Sequence, residues 1–184
     1  MRKLMLSCVA LVALGGCEHM KSMMGESKPA AAPAADTVAD EAAIKALEDK
    51  FVTAFNAKDI DAIMSIYADD VFVFDIVPPR QYVGADAYRK DWEGLLSGYN
   101  NVKFDLRDLA VTTDGQLAYS HSIQHLTATQ TVTVKKKKKT EKVDVTVRVT
   151  DAYKKIGGEW KIEQEHVSVP VDLATGKPDF CSKP

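Results

Sequence analysis

Between residues 40 and 97, apolar residues recur at the three- and four-residue spacing of helices that are buried on one face. A first helix is predicted to begin at Asp40, which would serve as its N-cap. Its buried residues would be Ile44, Leu47, Phe51 and Phe55. A second, shorter helix would bury Ile60, Ile63, Met64 and Tyr67. A third helix, from about residue 85 to residue 97, would bury Tyr88, Trp92, Leu95 and Leu96.

After residue 101 the pattern changes to the alternation of β-strands. The predicted strands cover residues 102–113, 117–134, 143–156 and 160–169. A further strand, residues 71–77, ends at Pro78-Pro79, since proline cannot donate to a sheet. This order predicts an α+β fold, a cone-shaped α+β barrel in which three N-terminal helices pack on a curved mixed or antiparallel sheet. One helix cannot fill the concave face of such a sheet, so a pocket is expected there.

The first seventeen residues have the order of a bacterial lipoprotein leader. Met1-Arg2-Lys3 is basic, residues 4–14 are mostly apolar, and Leu14-Gly15-Gly16-Cys17 resembles a lipobox. We therefore predict a signal peptide over residues 1–16 and acylation of Cys17; the alternative is a plain secretory signal with a coincidental cysteine. Glu18 is not the Asp that signals inner-membrane retention in enterobacteria. This favours an anchor in the outer membrane that faces the periplasm.

The rest of the chain divides by composition into a tether, a domain and a tail. Residues 17–40 lack large branched or aromatic residues to bury and are predicted to be a disordered tether. The folded domain is predicted over residues 41–172, and residues 173–184 form a C-terminal tail. One cysteine leaves with the leader and Cys17 is acylated, so Cys181 has no partner for an internal disulfide.

Size and charge restrict the class of protein further. A chain of 184 residues with 46% hydrophobic residues can bury one core. The formal net charge of −2 becomes −4 when Arg2 and Lys3 leave with the leader, which argues against a nucleic-acid partner. Lys135 to Lys139 form the one strongly basic run, expected at a hairpin tip. A solvated turn is the simpler interpretation, and contact with anionic headgroups or a periplasmic polyanion is the alternative.

A single acid, Asp75, lies in the most apolar stretch of the mature chain, residues 71–77. An ionised carboxylate there is costly unless it is paired or reaches a water-lined cavity. Strand alternation places Asp151 and His166 on the buried face as well. These three residues are therefore candidate catalytic groups, with His166 and either acid as an acid/base pair. The alternative is a core histidine that a carboxylate satisfies without turnover.

Candidate ligand-binding residues come from several elements. They are Phe51, Tyr67, Trp92 and His125. His125 is also explained as a partly exposed strand residue. His121 and His125 share a strand face but lie about 13 Å apart by strand rise, too far to bind one metal ion directly. Neither a metal nor a cofactor is expected.

Four segments are informative together: residues 50–63 (KFVTAFNAKDIDAI), 67–70 (YADD), 84–88 (GADAY) and 159–170 (EWKIEQEHVSVP). They resemble the nuclear transport factor two-like superfamily, and within it the SnoaL-like group that includes ketosteroid isomerase homologues. The resemblance spans about residues 40 to 172. It implies the cone-shaped fold, and it implies a homodimer built through the exposed sheet face.

The resemblance also implies roles for individual residues. Asp75 falls where the isomerases keep their general base, and Asp151 falls where they keep a protonated Asp that donates to an enolate oxygen. Phe51 stands where they place a Tyr donor, which removes half of the oxyanion hole and argues against steroid isomerisation.

Two functional hypotheses follow. The favoured one is a lipid-anchored periplasmic domain that binds a small apolar or carbonyl-bearing molecule, or a protein partner, without chemistry. The alternative is a small cofactor-independent enzyme of isomerase, cyclase or hydrolase type that uses Asp75 with His166 or Asp151.

Overall fold

The computed structural model describes residues 36–182. The predicted leader, Cys17 and nearly all of the predicted tether lie outside the described residues. No helix within residues 36–182 is long and apolar enough to cross a membrane.

Residues 36–182 contain three helices, as predicted: α1 (Thr37–Ala57), α2 (Ile60–Met64) and α3 (Ala85–Gly98). The start of α1 was predicted wrongly. Asp36 is the N-cap, and its carboxylate accepts a hydrogen bond from the Ala39 amide at 3.0 Å. Asp40 lies in the first turn and is buried, because it accepts a hydrogen bond from the Trp160 Nε1 at 3.0 Å. The helical domain therefore begins before residue 41.

The strands form one open sheet of six and a small separate hairpin. The strands are β1 (Tyr67–Phe74), β2 (Tyr82–Val83), β3 (Tyr99–Thr113), β4 (Leu117–Val134), β5 (Lys137–Ile156), β6 (Glu159–Ser168), β7 (Val171–Asp172) and β8 (Lys177–Pro178). Their order in the large sheet is β2-β1-β6-β5-β4-β3, and only β1 and β6 are parallel. The α+β prediction and the mixed sheet are confirmed. The sheet does not close into a barrel, since β2 and β3 remain its two edges.

The first strand begins earlier than predicted. Tyr67 is its first residue rather than part of the second helix, and Asp75 follows its last residue, Phe74. The backbone amide of Ile162 on β6 donates to the Ile66 carbonyl at 2.9 Å. This contact with β6 explains why the chain is extended so soon after α2.

The core contains a cluster of aromatic rings between α1, α3 and β3. The rings of Phe55 and Phe104 stack with centroids 4.3 Å apart, and Trp92 meets Phe55 edge to face at 5.4 Å. Phe51 contacts the same three rings at 5.5–5.8 Å. Aromatic pairs of this kind contribute about 0.5–1.5 kcal/mol each beyond the area that they bury. The cluster therefore fixes α1 and α3 against one end of the sheet.

A β-bulge in β6 changes which of its side chains are buried. Tyr153 pairs with Ile162 and Ala152 pairs with Gln164, so Glu163 has no opposite residue on β5. Trp160 and Ile162 are buried before the bulge, and Glu165 is buried after it. Even-numbered residues face the core before the bulge, and odd-numbered residues face it afterwards.

Residues after β6 are more ordered than the predicted tail. The β7–β8 hairpin brings the chain back, and the Thr146 amide of β5 donates to the Phe180 carbonyl at 2.9 Å. The Asp179 carboxylate accepts hydrogen bonds from the amides of Cys181 and Ser182. Cys181 is exposed and free. The segment from β7 to Ser182 therefore packs on the domain rather than extending from it.

Candidate ligand cavity and buried carboxyl cluster

A cavity of ≈ 240 Å³ lies between α1, α3 and the inner face of the sheet. Most of its wall is apolar, from residues that include Phe51, Phe55, Trp92, Leu95, Phe104 and Leu126. A dry apolar cavity of about 150 Å³ is large enough to hold benzene. This cavity therefore has room for a compact ring with substituents, and the pocket that the fold predicted is present.

Asp75 lines this cavity from the loop that follows β1. Its Oδ1 accepts hydrogen bonds from the Ile76 amide at 2.5 Å and the Val77 amide at 3.4 Å. Burial raises the pKa of Asp75, these two amides oppose the rise, and the nearby Asp91 carboxylate adds to it. The carboxyl therefore protonates more readily than an exposed aspartate.

Glu165 is the second carboxyl in the wall, and it is buried. It accepts hydrogen bonds from the Tyr88 hydroxyl at 2.5 Å and from the Tyr67 hydroxyl at 2.9 Å. Burial raises the pKa of Glu165 to about 7, although both tyrosine donors oppose the rise. At neutral pH this group exchanges a proton easily, which is what acid/base chemistry requires.

The hydroxyl of Tyr88 lies between the two carboxyls. Its oxygen is 2.5 Å from Glu165 and 3.4 Å from Oδ2 of Asp75. A phenol has a single proton, so both contacts are hydrogen bonds at once only when one carboxyl supplies a second proton. The arrangement therefore favours a singly protonated pair over two ionised carboxylates.

Further polar groups in the wall are Asp91, Gln124 and Trp92. The Tyr82 hydroxyl donates to Asp91 at 2.6 Å. The Nε1 of Trp92 is buried and has no hydrogen-bond partner within residues 36–182. An unpaired buried donor is costly, so a ligand oxygen that accepts from it would gain affinity.

Asp151 is buried in the core but does not line the cavity. It is the register partner of Glu165 on β6 and of Ser120 on β4, and its Oδ1 has no partner within the described residues. Burial and the charge of Glu165 both raise the pKa of Asp151. A neutral, protonated Asp151 is the form that this environment favours.

A third buried carboxyl, Glu48 of α1, belongs to the same group. It accepts a hydrogen bond from the Tyr153 hydroxyl at 2.6 Å, and that hydroxyl is 2.8 Å from the Ser120 hydroxyl. Burial raises the pKa of Glu48. We call Glu48, Asp151 and Glu165 the buried carboxyl cluster.

His166 does not reach the cavity, and the prediction that it faces inward is wrong. The side chain is exposed, and its ring centroid lies 5.6 Å from that of Phe74. Both rings are on the face of the sheet that points away from the cavity. The bulge at Glu163 is the cause, because it reverses the alternation and places Glu165 inward instead. The expected convergence of Asp75, Asp151 and His166 on one cavity is therefore not observed.

His125 was also expected near the pocket, and it lies on the other face of β4 from Gln124. Its Nδ1 is 3.2 Å from Asp105, and its Nε2 is 2.9 Å from Asp144. Hydrogen bonds to these two carboxylates raise the pKa of His125. It is a surface ion-pair residue on the opposite side of the sheet from the cavity.

The other predicted binding residues are close to the cavity. Phe51 and Trp92 line it, and Tyr67 reaches it indirectly through its hydrogen bond to Glu165. Within residues 36–182, no three His, Cys, Asp or Glu side chains are grouped as metal ligands. Sequence analysis missed Glu165 and Tyr88 as site residues, because alternation along β6 places His166 inward and Tyr88 was expected only as a buried residue of α3.

Comparisons with family models and with solved structures indicate related families for this chain. The sequence matches the family model of a SnoaL-like domain over residues 44–172. A nuclear transport factor two-like protein of unknown function from Pseudomonas putida shares 30% identity, and the match covers 80% of this chain and 99% of that chain with a TM-score of 0.70. No functionally curated protein matches this chain.

Two more distant structures share the fold. A proposed scytalone dehydratase from Novosphingobium aromaticivorans has 15% identity, with 73% of this chain and 86% of that chain covered and a TM-score of 0.63. A ketosteroid isomerase-like protein from Erwinia carotovora atroseptica has 21% identity, with 70% and 95% covered and a TM-score of 0.56. At these identities the similarity concerns the fold alone.

Proposed function

This chain belongs to the SnoaL-like domain family, and from that membership we propose that it binds a compact, mostly apolar molecule that carries one hydrogen-bonding oxygen. The observation that supports this proposal is a mostly apolar cavity wall that includes Trp92, whose buried Nε1 has no hydrogen-bond partner within residues 36–182. Such a donor contributes to affinity only when a ligand supplies the acceptor. A carbonyl or ether oxygen on a small ring system has the required chemistry.

A matched pair of probes tests this proposal. Indane and 1-indanone differ at one carbon, and the carbonyl oxygen of 1-indanone is an acceptor for Trp92. We expect the protein to bind 1-indanone about fivefold more tightly than indane, since a hydrogen bond to a buried donor contributes about 1 kcal/mol. Titrations followed by the NMR signals of Trp92 and Leu95 measure both affinities.

Trp92→Phe keeps an aromatic ring and removes the donor. We expect the preference for 1-indanone over indane to fall to about twofold or less, whatever happens to the absolute affinities. An unchanged preference would show that the donor is not used. No binding of either probe to the wild-type protein would contradict the proposal itself.

A second candidate function is proton transfer on the bound molecule. The observation that favours it is the Tyr88 hydroxyl between Asp75 and Glu165, two carboxyls whose pKa values are both raised. This pair replaces the predicted pairing of Asp75 with His166 or Asp151. Asp75 would accept a proton from an acidic C–H of the ligand, and Trp92 would donate to the oxygen that becomes negative.

We further propose that Cys17 attaches the domain to the bacterial cell envelope, in the outer membrane on the periplasmic side. The lipobox-like Leu14-Gly15-Gly16-Cys17 supports this proposal. Mass spectrometry of protein from membranes is expected to find an acylated peptide that begins at Cys17. Cys17→Ala should release the protein into the soluble fraction, and an unmodified wild-type chain with another N-terminus would contradict the proposal.

A further inference from the structure

The hairpin between β4 and β5 extends beyond the rest of the sheet. β3 pairs with β4 only as far as Gln130, and β6 pairs with β5 only from Arg148. Residues 131–134 and 137–140 therefore pair with each other alone, as four residue pairs of a two-stranded ribbon. At about 3.3 Å per residue, this ribbon extends about 13 Å past the edge strand β3. We call residues 131–140 the ribbon tip.

The turn of the ribbon tip is built from residues that do not suit its geometry. Lys135 and Lys136 are its two loop residues, with φ of 49° and 66°. Two-residue turns of this kind favour Asn-Gly or Gly-Gly, because φ is positive at both positions. The turn between β5 and β6 follows that rule with Gly157 and Gly158. Lys135 and Lys136 therefore make the turn of the ribbon tip less stable than Asn-Gly or Gly-Gly would, while they add two positive charges.

The lysines of the ribbon tip are poorly neutralised. Lys139 pairs with Glu141 at 3.1 Å, and within residues 36–182 the four lysines from Lys135 to Lys138 make no ion pair. All five are exposed. The chain as a whole has a formal charge of −2, so the remaining residues carry a larger net negative charge. The ribbon tip is a concentrated positive site at one end of an acidic protein.

One face of the ribbon tip combines these charges with apolar side chains. Val132 is opposite Lys139, and Val134 is opposite Lys137, so all four side chains share a face. Val134 is 49% exposed, which places an unburied aliphatic group beside the lysines. Lysines beside short apolar groups suit the boundary between anionic headgroups and acyl chains. The described part of the ribbon tip has no aromatic side chain on which nucleic-acid bases would stack.

We propose that the ribbon tip docks on the surface of a bilayer that contains anionic lipids. The lysines contact the headgroup phosphates, and Val132 and Val134 contact the upper part of the acyl chains. This contact depends on neither the cavity nor acylation of Cys17. It gives the domain a second, electrostatic attachment that orients it on the membrane.

Vesicle co-sedimentation tests the proposal on a chain that begins at Glu18. This chain lacks the leader and the acylation site, and it keeps every residue that the structure describes, 36–182. We expect it to bind vesicles of phosphatidylcholine and phosphatidylglycerol in a 3:1 ratio, and to bind pure phosphatidylcholine at least tenfold more weakly. Raising the salt from 0.05 to 0.5 M should weaken the binding at least tenfold, since the Debye length becomes about threefold shorter over this range. Equal binding to both vesicles would overturn the proposal.

Variants with equal charge changes separate the ribbon tip from net charge. Replacing Lys137, Lys138 and Lys139 together by Gln should weaken binding to the anionic vesicles at least tenfold. Replacing three exposed lysines elsewhere, Lys90, Lys103 and Lys177, by Gln should change it less than twofold. Equal losses in the two variants would overturn the proposal. Binding to heparin in the absence of any vesicle binding would also overturn it, and would indicate a soluble polyanion as the partner.

The turn itself provides a second test with two opposite readouts. Lys135→Asn combined with Lys136→Gly removes two charges and supplies the residues that the turn favours. We expect the thermal midpoint to rise and the affinity for anionic vesicles to fall at least threefold. Unchanged vesicle binding in this more stable variant would show that the charge of the turn has no role at the membrane.

Discussion

Asp75→Asn is expected to slow the exchange of the α-hydrogens of bound 1-indanone with solvent deuterium by about 100- to 10,000-fold, the usual contribution of a general base. In the proposed step, the α C–H bond breaks, the proton moves to the Asp75 carboxylate, and the electron pair forms the enolate. The carboxyl exchanges this proton for a deuteron from D₂O, and return of the deuteron to the α-carbon regenerates the ketone. The Asp75 side chain lines the cavity and has a raised pKa, so it is placed and tuned for both directions of this transfer.

Proton NMR measures this exchange directly as loss of the α-hydrogen signal in D₂O. Asp70→Asn is the matched control, because Asp70 is an exposed acid on β1, the strand that precedes Asp75. It should leave the exchange rate within a factor of two. A wild-type rate no faster than that in buffer would leave ligand binding as the only function of the cavity. A wild-type rate in an Asp75→Asn protein that still binds 1-indanone would exclude Asp75 as the base.

The stability of the protein is expected to fall by about 3 kcal/mol between pH 4.5 and pH 7 through Glu165 alone. The folded protein holds a proton on this carboxyl up to a pKa of about 7, whereas the unfolded chain releases it near the ordinary value of 4.5. Stability from this source is complete below pH 4.5 and is lost as the pH rises through 7. The raised pKa values of Glu48 and Asp151 act in the same direction.

Urea unfolding of wild type and Glu165→Gln at pH 5 and pH 8 isolates this contribution. Gln stays neutral, so the variant should lose less stability than wild type between the two pH values, by about 3 kcal/mol. Titrating groups that are distant from Glu165, including His125, are common to both proteins and cancel in the comparison, whereas Asp151 loses the Glu165 charge that raises its pKa. Glu93→Gln on the exposed side of α3 should behave as wild type. Parallel losses in wild type and Glu165→Gln would show that Glu165 is ionised throughout the range.

The residues of β6 show where sequence reasoning reached its limit. Trp160 and Ile162 are buried, as alternation predicts. One unpaired residue, Glu163, then reverses the pattern, and the inward acid is Glu165 instead of His166. A bulge is set by how the neighbouring strands β1 and β5 meet β6, and nothing in the local sequence marks it. A shift of one residue in the predicted alternation of a strand leaves the fold prediction correct. The same shift assigns the wrong side chain to the site.

Element boundaries show a similar division. Asp36 and Asp40 both have the side chain of an N-cap, and sequence alone gives no reason to prefer the earlier one. The choice depends on Trp160, which is distant in sequence and binds the Asp40 carboxylate. Asp75 could be placed beside a pocket because its apolar neighbours made any other location costly. The placement of Asp75 therefore followed from its sequence neighbours, whereas the choice of N-cap depended on a residue distant in sequence.

Phe180 is the one residue of the C-terminal segment that lines the cavity within residues 36–182. Phe180 lines the cavity, yet it comes from the segment after β8, beyond the residues that match the family. Its carbonyl is bound by the Thr146 amide, and most residues from β7 to Ser182 are exposed. Segments of this kind detach at a small fraction of the free energy of global unfolding. If the cavity holds a ligand as proposed, we expect its residence time to follow the detachment rate of these last residues. Two proteins with the same cavity but different C-terminal segments would then release the same ligand at different rates.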